Sequence, residues 1–378
     1  MNDIDPRTVI LLSGIMCGLM SLVLYSLKRN YPSSIKGLGE WSAGLLVGFI
    51  GTALASTNGQ LPVFFTVFLA RVMLASALYL IYVGTQRFFG VTPKLRNWLL
   101  VIVAMMLAQL WFTLVEPSFR IRLGLSNALA TALFTAHAHL VFKQGVRTFA
   151  RALTLTVLVL MALIQVMRLA TPFIWPLGQD IFDKSPIQLI YVSSFVFCIL
   201  LFSISTVLLA SERLHAELEH LATHDSLTNA VTRRYINEAC EKELERCRRY
   251  GRSMAVMLMD MDYFKQINDT YGHQAGDQVL VNFVTQVNDL LRRPDQLGRF
   301  GGEEFVVMLP DTALEEALSV AERIRETCAQ PTQGPHCTVS IGVTTYQQAS
   351  DTVDALLARA DIALYQAKAK GRNRIETA

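Results

Sequence analysis

The pattern of hydrophobic and polar positions divides the chain near residue 210. Up to Ala210, long apolar runs follow one another with short loops between them. From Ser211 onward, charged and apolar residues intermix at the short spacings of helices and strands. A membrane span needs about 20 predominantly apolar residues. Seven runs qualify: 8–27, 41–57, 61–86, 97–115, 123–142, 152–171 and 187–210. The second is short and the third long. The first lacks a basic leader, because Asp3 and Asp5 precede Arg7, and it has no clear small-residue cleavage site. It reads as an uncleaved span rather than a signal peptide. The pattern predicts an all-α transmembrane bundle over 1–210, a connector helix over 211–223 and a soluble α/β domain over 224–378.

Charge sets an orientation. Lys28, Arg29, Lys36, Arg87, Lys94, Arg96, Lys143, Arg147 and Arg151 fall in loops on one side. Arg7, Arg120, Arg122, Arg168 and Lys184 fall on the other. Nine against five puts the N-terminus outside and the C-terminal half in the cytoplasm. Polar residues inside the spans are Arg71, Gln109, Asn127, His137, His139, Gln165 and Arg168. His137 and His139 are two apart and share no helix face, which weakens a metal or haem pair. Hydrogen bonding between helices is the main reading of the set. The segment Thr171–Pro186, with Trp175, is the longest outer loop and reads as an interfacial cap over a pocket.

Composition narrows the class. The 378 residues are 52% hydrophobic and 17% charged, against about a quarter charged in soluble chains. That excludes disorder, a secreted disulfide scaffold and a wholly soluble enzyme. A net charge of +3 is too small for a nucleic-acid polymer partner. The six cysteines form no CxxC pair, so neither a zinc site nor a redox motif is suggested and reduced cytoplasmic thiols are expected. In the connector, Leu214, Leu218 and Leu221 are spaced four then three. This starts an apolar seam, used either for packing on its own domain or for a dimer-forming signalling helix.

The soluble half alternates. Helices are expected over 225–249, with Asp225 as N-cap, and over 274–291, 313–329 and 352–370, the last ended by Gly371. Tyr263–Asn268 opens a turn and short helix. Strands are expected over 254–259, 296–300, 305–309 and 338–344. The strand MAVMLMDMDYFK delivers Asp260 and Asp262 at its C-terminal end, projecting to one side. A strand end leading into a helix suits a divalent cation and a phosphate; two solvated turn aspartates is the plain alternative. In RFGGEEF, Gly301 and Gly302 make a hairpin tip carrying Glu303 and Glu304. Adjacent like charges there fit a nearby cation.

GGEEF at 301–305 resembles the signature of the GGDEF family, the bacterial diguanylate cyclase domain. The other motifs agree in order: Asp225–Thr228 (DSLT), Asp260–Asp277 (DMDYFKQINDTYGHQAGD), Ser340–Val343 (SIGV) and Ala363–Asn373 (ALYQAKAKGRN). The likeness covers roughly 223–374. One departure stands near its start, LTNAVTRRY where the family commonly has LTGLxNRR. The resemblance implies a palm-like α+β fold, a central antiparallel sheet wrapped by helices. It implies condensation of two GTP into cyclic di-GMP with release of two pyrophosphates, by a homodimer using two Mg²⁺ per site, with Mn²⁺ as a substitute. Asp260, the Met261 carbonyl, Glu303 and Glu304 would hold metal, and Glu303 would also face the 3′-hydroxyl. Asn268 and Asp277 would read guanine, with His273 beside the nucleotide. The amides of Tyr263, Phe264 and Lys265 would cradle phosphates. Lys368 and Arg372, four apart on the last helix, would grip the β and γ phosphates. Arg292 and Asp295 form an RxxD motif six residues before Gly301, which resembles the family's product-inhibition site, with Arg323 in support.

The implied location is a multi-pass protein of the bacterial inner membrane, with the lipid bilayer, GTP and cyclic di-GMP as partners and motility, adhesion or biofilm outputs. A catalytically silent nucleotide receptor and a cyclase of relaxed base choice are the competing readings. No EAL phosphodiesterase segment is expected.

Overall fold

The computed structural model describes residues 5–93, 95–144, 147–174, 185–330, 334–347 and 350–378. The chain forms two compact units, Met1–Ala216 and Glu217–Ala378.

The first unit is helical. It comprises α1 (Pro6–Asn30), α2 (Leu38–Ser56), a π-helical turn (Phe64–Leu69) leading into α3 (Ala70–Phe88), α4 (Leu95–Leu114), α5 (Phe119–Lys143), α6 (Phe149–Ile174) and α7 (Pro186–Thr223). Seven helices of the described residues are long and apolar enough to cross a membrane. Each overlaps one of the seven apolar runs. Asp5 caps α1 by accepting from the Arg7 amide at 3.0 Å, and Pro6 occupies the first turn, where no amide donor is needed. Hydrogen bonds tie the helices together. Trp41 Nε1 donates to Thr85 Oγ1 at 3.0 Å, and His137 Nε2 lies 2.7 Å from the same hydroxyl. Gln109 Nε2 donates to Ser126 Oγ at 2.8 Å. For these residues the helix-to-helix reading of the polar set holds. Trp175 and Lys184 of the outer loop, and Lys94, lie outside the described residues.

Helix α7 is 38 residues long and continues without a break through Ser211–Thr223. Of the three seam leucines, Leu214 packs against the Leu24, Leu38 and Trp41 cluster of the helical unit, whereas Leu218 and Leu221 are 51% and 58% exposed.

The second unit runs β1 (Val231–Thr232), α8 (Arg233–Tyr250), β2 (Met254–Met261), α9 (Phe264–Tyr271), α10 (His273–Leu290), β3 (Gln296–Arg299), β4 (Glu304–Pro310), α11 (Leu314–Ala329), β5 (Val339–Thr345), α12 (Val353–Ala369) and β6 (Ile375–Thr377). The sheet order is β1-β3-β4-β2-β5-β6. Its four central strands pair antiparallel, as the resemblance implies. The edge strands β1 and β6 add parallel pairs, which makes the sheet mixed.

Strand β2 is buried along its whole length because both faces are covered. Ala255, Met257, Met259 and Met261 pack with Phe283 and Val287 of α10 and Ile324 of α11. Met254, Val256 and Leu258 pack with Ile236 and Leu244 of α8 and Leu356 and Leu364 of α12. Two-sided burial explains an unbroken apolar run instead of strict alternation. Each fully buried side chain of this kind contributes about 1.5–3 kcal/mol. The strand is thereby held in one register, and Asp260 continues the face that meets α12.

One expected element is corrected. Helix does not begin at Asp225: residues 226–228 form a turn, Asn229 takes a left-handed φ of 60°, and 231–232 join the sheet as β1 before α8 starts at Arg233. Asp225 does cap, but it caps the turn, accepting from the Thr228 amide and hydroxyl at 2.9 and 2.7 Å.

Candidate active site

The end of β2 meets the start of β4. Asp260 lies opposite Glu304 in the β2–β4 register, and the Met261 amide donates to the Glu303 carbonyl at 3.2 Å. Glu303 belongs to the tip, whereas Glu304 already opens β4. Asp260 is 8% exposed, and Lys368 from the last turn of α12 places its Nζ 2.8 Å from Asp260 Oδ2. Burial pushes the Asp260 carboxyl above its ordinary range, with Lys368 pulling the other way. Glu303 is raised too, first by burial and then by the charge on Asp260. Asp260 and Lys368 are in contact, and Glu303 feels the charges of Asp260, Lys368 and Glu304.

Asp262 departs from the paired reading. It is 2% exposed and turned into a polar bracket. Thr338 Oγ1, Ser340 Oγ and the Asn373 amide donate to it at 2.6, 2.7 and 3.0 Å. It joins the end of β2, the start of β5 and the loop after α12. Neither aspartate is a solvated turn residue.

That loop corrects the placement of Arg372. Helix α12 stops at Ala369, and Gly371 takes a φ of 114°, a conformation open to glycine at little cost. Arg372 follows with a φ of 62°, so it lies beyond the helix and not four residues along it from Lys368. Its guanidinium stacks on the Tyr263 ring, 4.6 Å from the centroid. Lys368 meets Asp260 and Arg372 meets Tyr263, so both cations stand at the residues that end β2 and open α9.

Tyr263, with a φ of 56°, turns the chain into α9. The amides of Tyr263, Phe264 and Lys265 thus fall at a helix start, where they have no intrahelical acceptor. Phe264 is buried, while Tyr263, Lys265 and His273 are exposed. Gly272 separates α9 from α10, so the Asn268 side chain lies directly over Gly276. A Cβ at Gly276 would fall 1.9 Å from Asn268 Oδ1. Asn268 is thereby brought over Gly276, the residue before the exposed Asp277.

The hairpin tip is held from below by Arg299, a residue to which the sequence assigned no role. Its Nη2 donates to the Gly302 carbonyl at 2.8 Å and its Nε to the Gly301 carbonyl at 3.2 Å. Its Nη1 pairs with Asp225 Oδ1 at 2.9 Å. The signal was available in the Asp225–Thr228 motif, whose first residue is the partner of Arg299.

Away from this centre, Arg292 and Asp295 close a reciprocal turn. The Arg292 amide donates to Asp295 Oδ2 at 2.8 Å, and the Asp295 amide to the Arg292 carbonyl at 3.0 Å. Burial raises the Asp295 carboxyl, with Arg292 opposing. The Arg292 side chain is exposed and, with Asp295, Lys242 and Arg246, lines a groove of about 540 Å³. Arg323 is not among the lining residues; its Nη2 donates to the Leu290 carbonyl at 2.9 Å, at the end of α10.

Residues 222–374 match the family described as diguanylate cyclase, GGDEF domain. The second unit is a GGDEF domain. It is similar to the response regulator PleD of Caulobacter vibrioides, 42% identical over 175 residues, which cover 44% of this chain and 38% of PleD. It is also similar to the diguanylate cyclase DgcM of Escherichia coli K12, 41% identical over 166 residues, which cover 43% of this chain and 40% of DgcM. The chain thus spans about two fifths of the length of these relatives. Among solved structures, the GGEEF domain of a diguanylate cyclase from Vibrio cholerae matches with 32% identity and a TM-score of 0.37, covering 39% of this chain and 96% of that one. The matched residues fall wholly within the second unit, the first two of them at the end of α7.

Proposed function

We propose that the protein is a membrane-anchored diguanylate cyclase that condenses two GTP into cyclic di-GMP. What supports this most directly is the convergence of Asp260, Glu303 and Glu304 with Lys368 at the end of β2. The family match and the relatives named for that activity point the same way.

The chemistry follows from charge. The 3′-oxygen of one GTP attacks the α-phosphorus of the other; the α–β phosphoanhydride bond breaks and pyrophosphate leaves. A second, symmetric attack closes the ring. Each domain holds one GTP, so two domains must face each other and the working unit is a homodimer. Asn268 and Asp277 orient guanine, the Asp carboxylate accepting from N1–H and the 2-amino group, which adenine cannot match. The amides opening α9, with Lys368 and Arg372, hold the β and γ phosphates. Glu303 stands to take the 3′-hydroxyl proton.

Asp260, the Met261 carbonyl, Glu303 and Glu304 would hold Mg²⁺. The residues fit such an ion: the donors are hard oxygens, burial holds two of the carboxyls above their ordinary range, and the Lys368 ammonium stands where a cation is wanted. Among the described residues, no three Asp, Glu, His or Cys side chains cluster closely enough to bind a metal by themselves. Mg²⁺ takes one or two carboxylates plus phosphate oxygens and water, so the smaller set suffices. Bound there, Mg²⁺ would neutralise the leaving pyrophosphate and lower the pKa of the attacking hydroxyl.

The seven helices anchor the protein in the bacterial inner membrane with the N-terminus outside. The exposed Leu218 and Leu221 on α7 bring two copies together, and the Arg292/Asp295 turn binds product as an inhibitor. The test is full-length protein in nanodiscs with GTP and Mg²⁺, the product identified by mass. Cyclic di-GMP is expected from the wild type and is lost in Asp260→Asn and Glu303→Gln. Bound nucleotide without product, after nucleotide has been stripped from the protein and in Arg292→Ala as well, would replace the enzyme reading by a receptor one.

A further inference from the structure

The helical unit contains a partly open cavity of about 240 Å³. Its walls are mostly apolar, with Leu74, Leu133, Leu158 and Phe195 among them. One end is different. Arg71 near the start of α3, Asn127 near the start of α5, and Gln165 and Arg168 near the end of α6 all line it. Alternating helices with short connections put those helix ends on the same side of the bundle. His137 lines the cavity ten residues further along α5 than Asn127, a distance of about 15 Å at helical rise.

The polar end is incompletely satisfied. Gln165 and Asn127 are 7% and 4% exposed, yet among the described residues Gln165 Oε1 and Asn127 Nδ2 have no hydrogen-bond partner, and neither has the buried Arg168 Nε. The lining carries two guanidinium groups and, among the described residues, no carboxylate. Arg71 Nη1 donates to the Val67 carbonyl at 3.2 Å, which fixes that side chain at the cavity end. Buried polar groups are normally paired, and each exception calls for a cause. An apolar chamber ending in two unpaired donors, Asn127 Nδ2 and Arg168 Nε, beside one unpaired amide oxygen, has the form of a site for an amphiphile.

We infer that this cavity binds a single-chain carboxylate, its apolar chain among the leucines and its headgroup on Arg168 and Asn127. The Gln165 amide, turned over, presents its NH₂ to the same anion, since the two orientations of an amide are not distinguished by shape. The volume lies below the roughly 300–1,000 Å³ of drug-sized sites, so one chain fits and two do not. The site lies wholly within the helical unit and does not depend on the cyclase reading.

The test uses full-length protein in phosphatidylcholine nanodiscs and radiolabelled decanoate, with empty discs subtracted. Saturable binding is expected, and decanol should compete at least tenfold more weakly than unlabelled decanoate. Arg168→Gln should abolish that preference for acid over alcohol. Leu133→Trp should fill the chamber and weaken both ligands; helical circular dichroism and gel filtration select the folded variants. Phosphatidylglycerol, a two-chain anion, should not displace decanoate. Equal competition by decanol in the wild type, an unchanged preference in folded Arg168→Gln, or displacement by phosphatidylglycerol would each overturn the assignment.

Discussion

Lys368 Nζ lies 2.8 Å from Asp260 Oδ2, joining the last turn of α12 to the buried end of β2. A basic residue there also suits the negative end of the helix dipole, but the dipole does not select a contact with a buried carboxylate. The pair holds two of the site's opposite charges in register before any nucleotide arrives. Lys368→Met is expected to raise KM for GTP and lower turnover. One charge-assisted hydrogen bond is worth about 1.5–3 kcal/mol, so kcat/KM should fall roughly tenfold to a hundredfold. Steady-state kinetics at fixed Mg²⁺ checks this; an unchanged kcat/KM would remove Lys368 from phosphate binding.

Asp260 and Asp262 should separate in experiment although they are two residues apart. Asp262 accepts from Thr338, Ser340 and Asn373 and serves the fold. Asp262→Ala strands three donors in the interior, at about 1–3 kcal/mol for each that finds no water. A clear drop in melting temperature is expected, together with a higher KM for GTP as the Arg372 loop loosens. Asp260→Asn should leave the melting temperature nearly unchanged and abolish turnover. Thermal unfolding and turnover measured side by side on both variants decide the matter.

The contrast marks what the sequence could show. The apolar run of β2, the helices α10 and α11 and the glutamates on the tip follow from local pattern, since each depends on residues near in sequence. The Asp262 bracket depends on residues 76 to 111 positions away, which no local pattern reports. Arg372 was misplaced for a related reason. Its spacing from Lys368 matched one helical face, but the left-handed Gly371 and Arg372 turn the chain before that face can continue. Turn chemistry overrode periodicity there, and did so again at Asn229, which delays α8 until Arg233. In the helical unit the spans were legible from hydropathy. The cavity was not, because it is formed by residues from several helices.

Gly276 offers a test of base recognition that leaves the phosphate site untouched. A Cβ there would fall 1.9 Å from Asn268 Oδ1, so Gly276→Ala must move the amide. Alanine is the better helix former by about 1 kcal/mol, and α10 should not lose stability. The expected result is a KM for GTP raised about tenfold, the value of roughly one neutral hydrogen bond, and weaker discrimination against ATP. Competition of ATP with GTP, measured beside the melting curve, gives both readouts.

The last expectation concerns Asp225 and Arg299, which support the tip from outside the nucleotide site. Burial alone would raise the Asp225 carboxyl, but hydrogen bonds from Thr228 and Arg299 hold it below its ordinary value. A depressed carboxyl contributes stability that is present above the ordinary aspartate value and lost as pH falls through the depressed one. The wild type should therefore lose this contribution only in acid, below the ordinary aspartate range. Asp225→Asn should lose it at every pH, about 1–2 kcal/mol for a hydrogen-bonded ion pair, and the two melting curves should converge at low pH. Because Arg299 also donates to the Gly301 and Gly302 carbonyls, Arg299→Lys loses the fork geometry and loosens Glu303. A larger fall in turnover is expected for Arg299→Lys than for Asp225→Asn at neutral pH. Equal effects would mean that the ion pair, and not the grip on the two carbonyls, holds the tip.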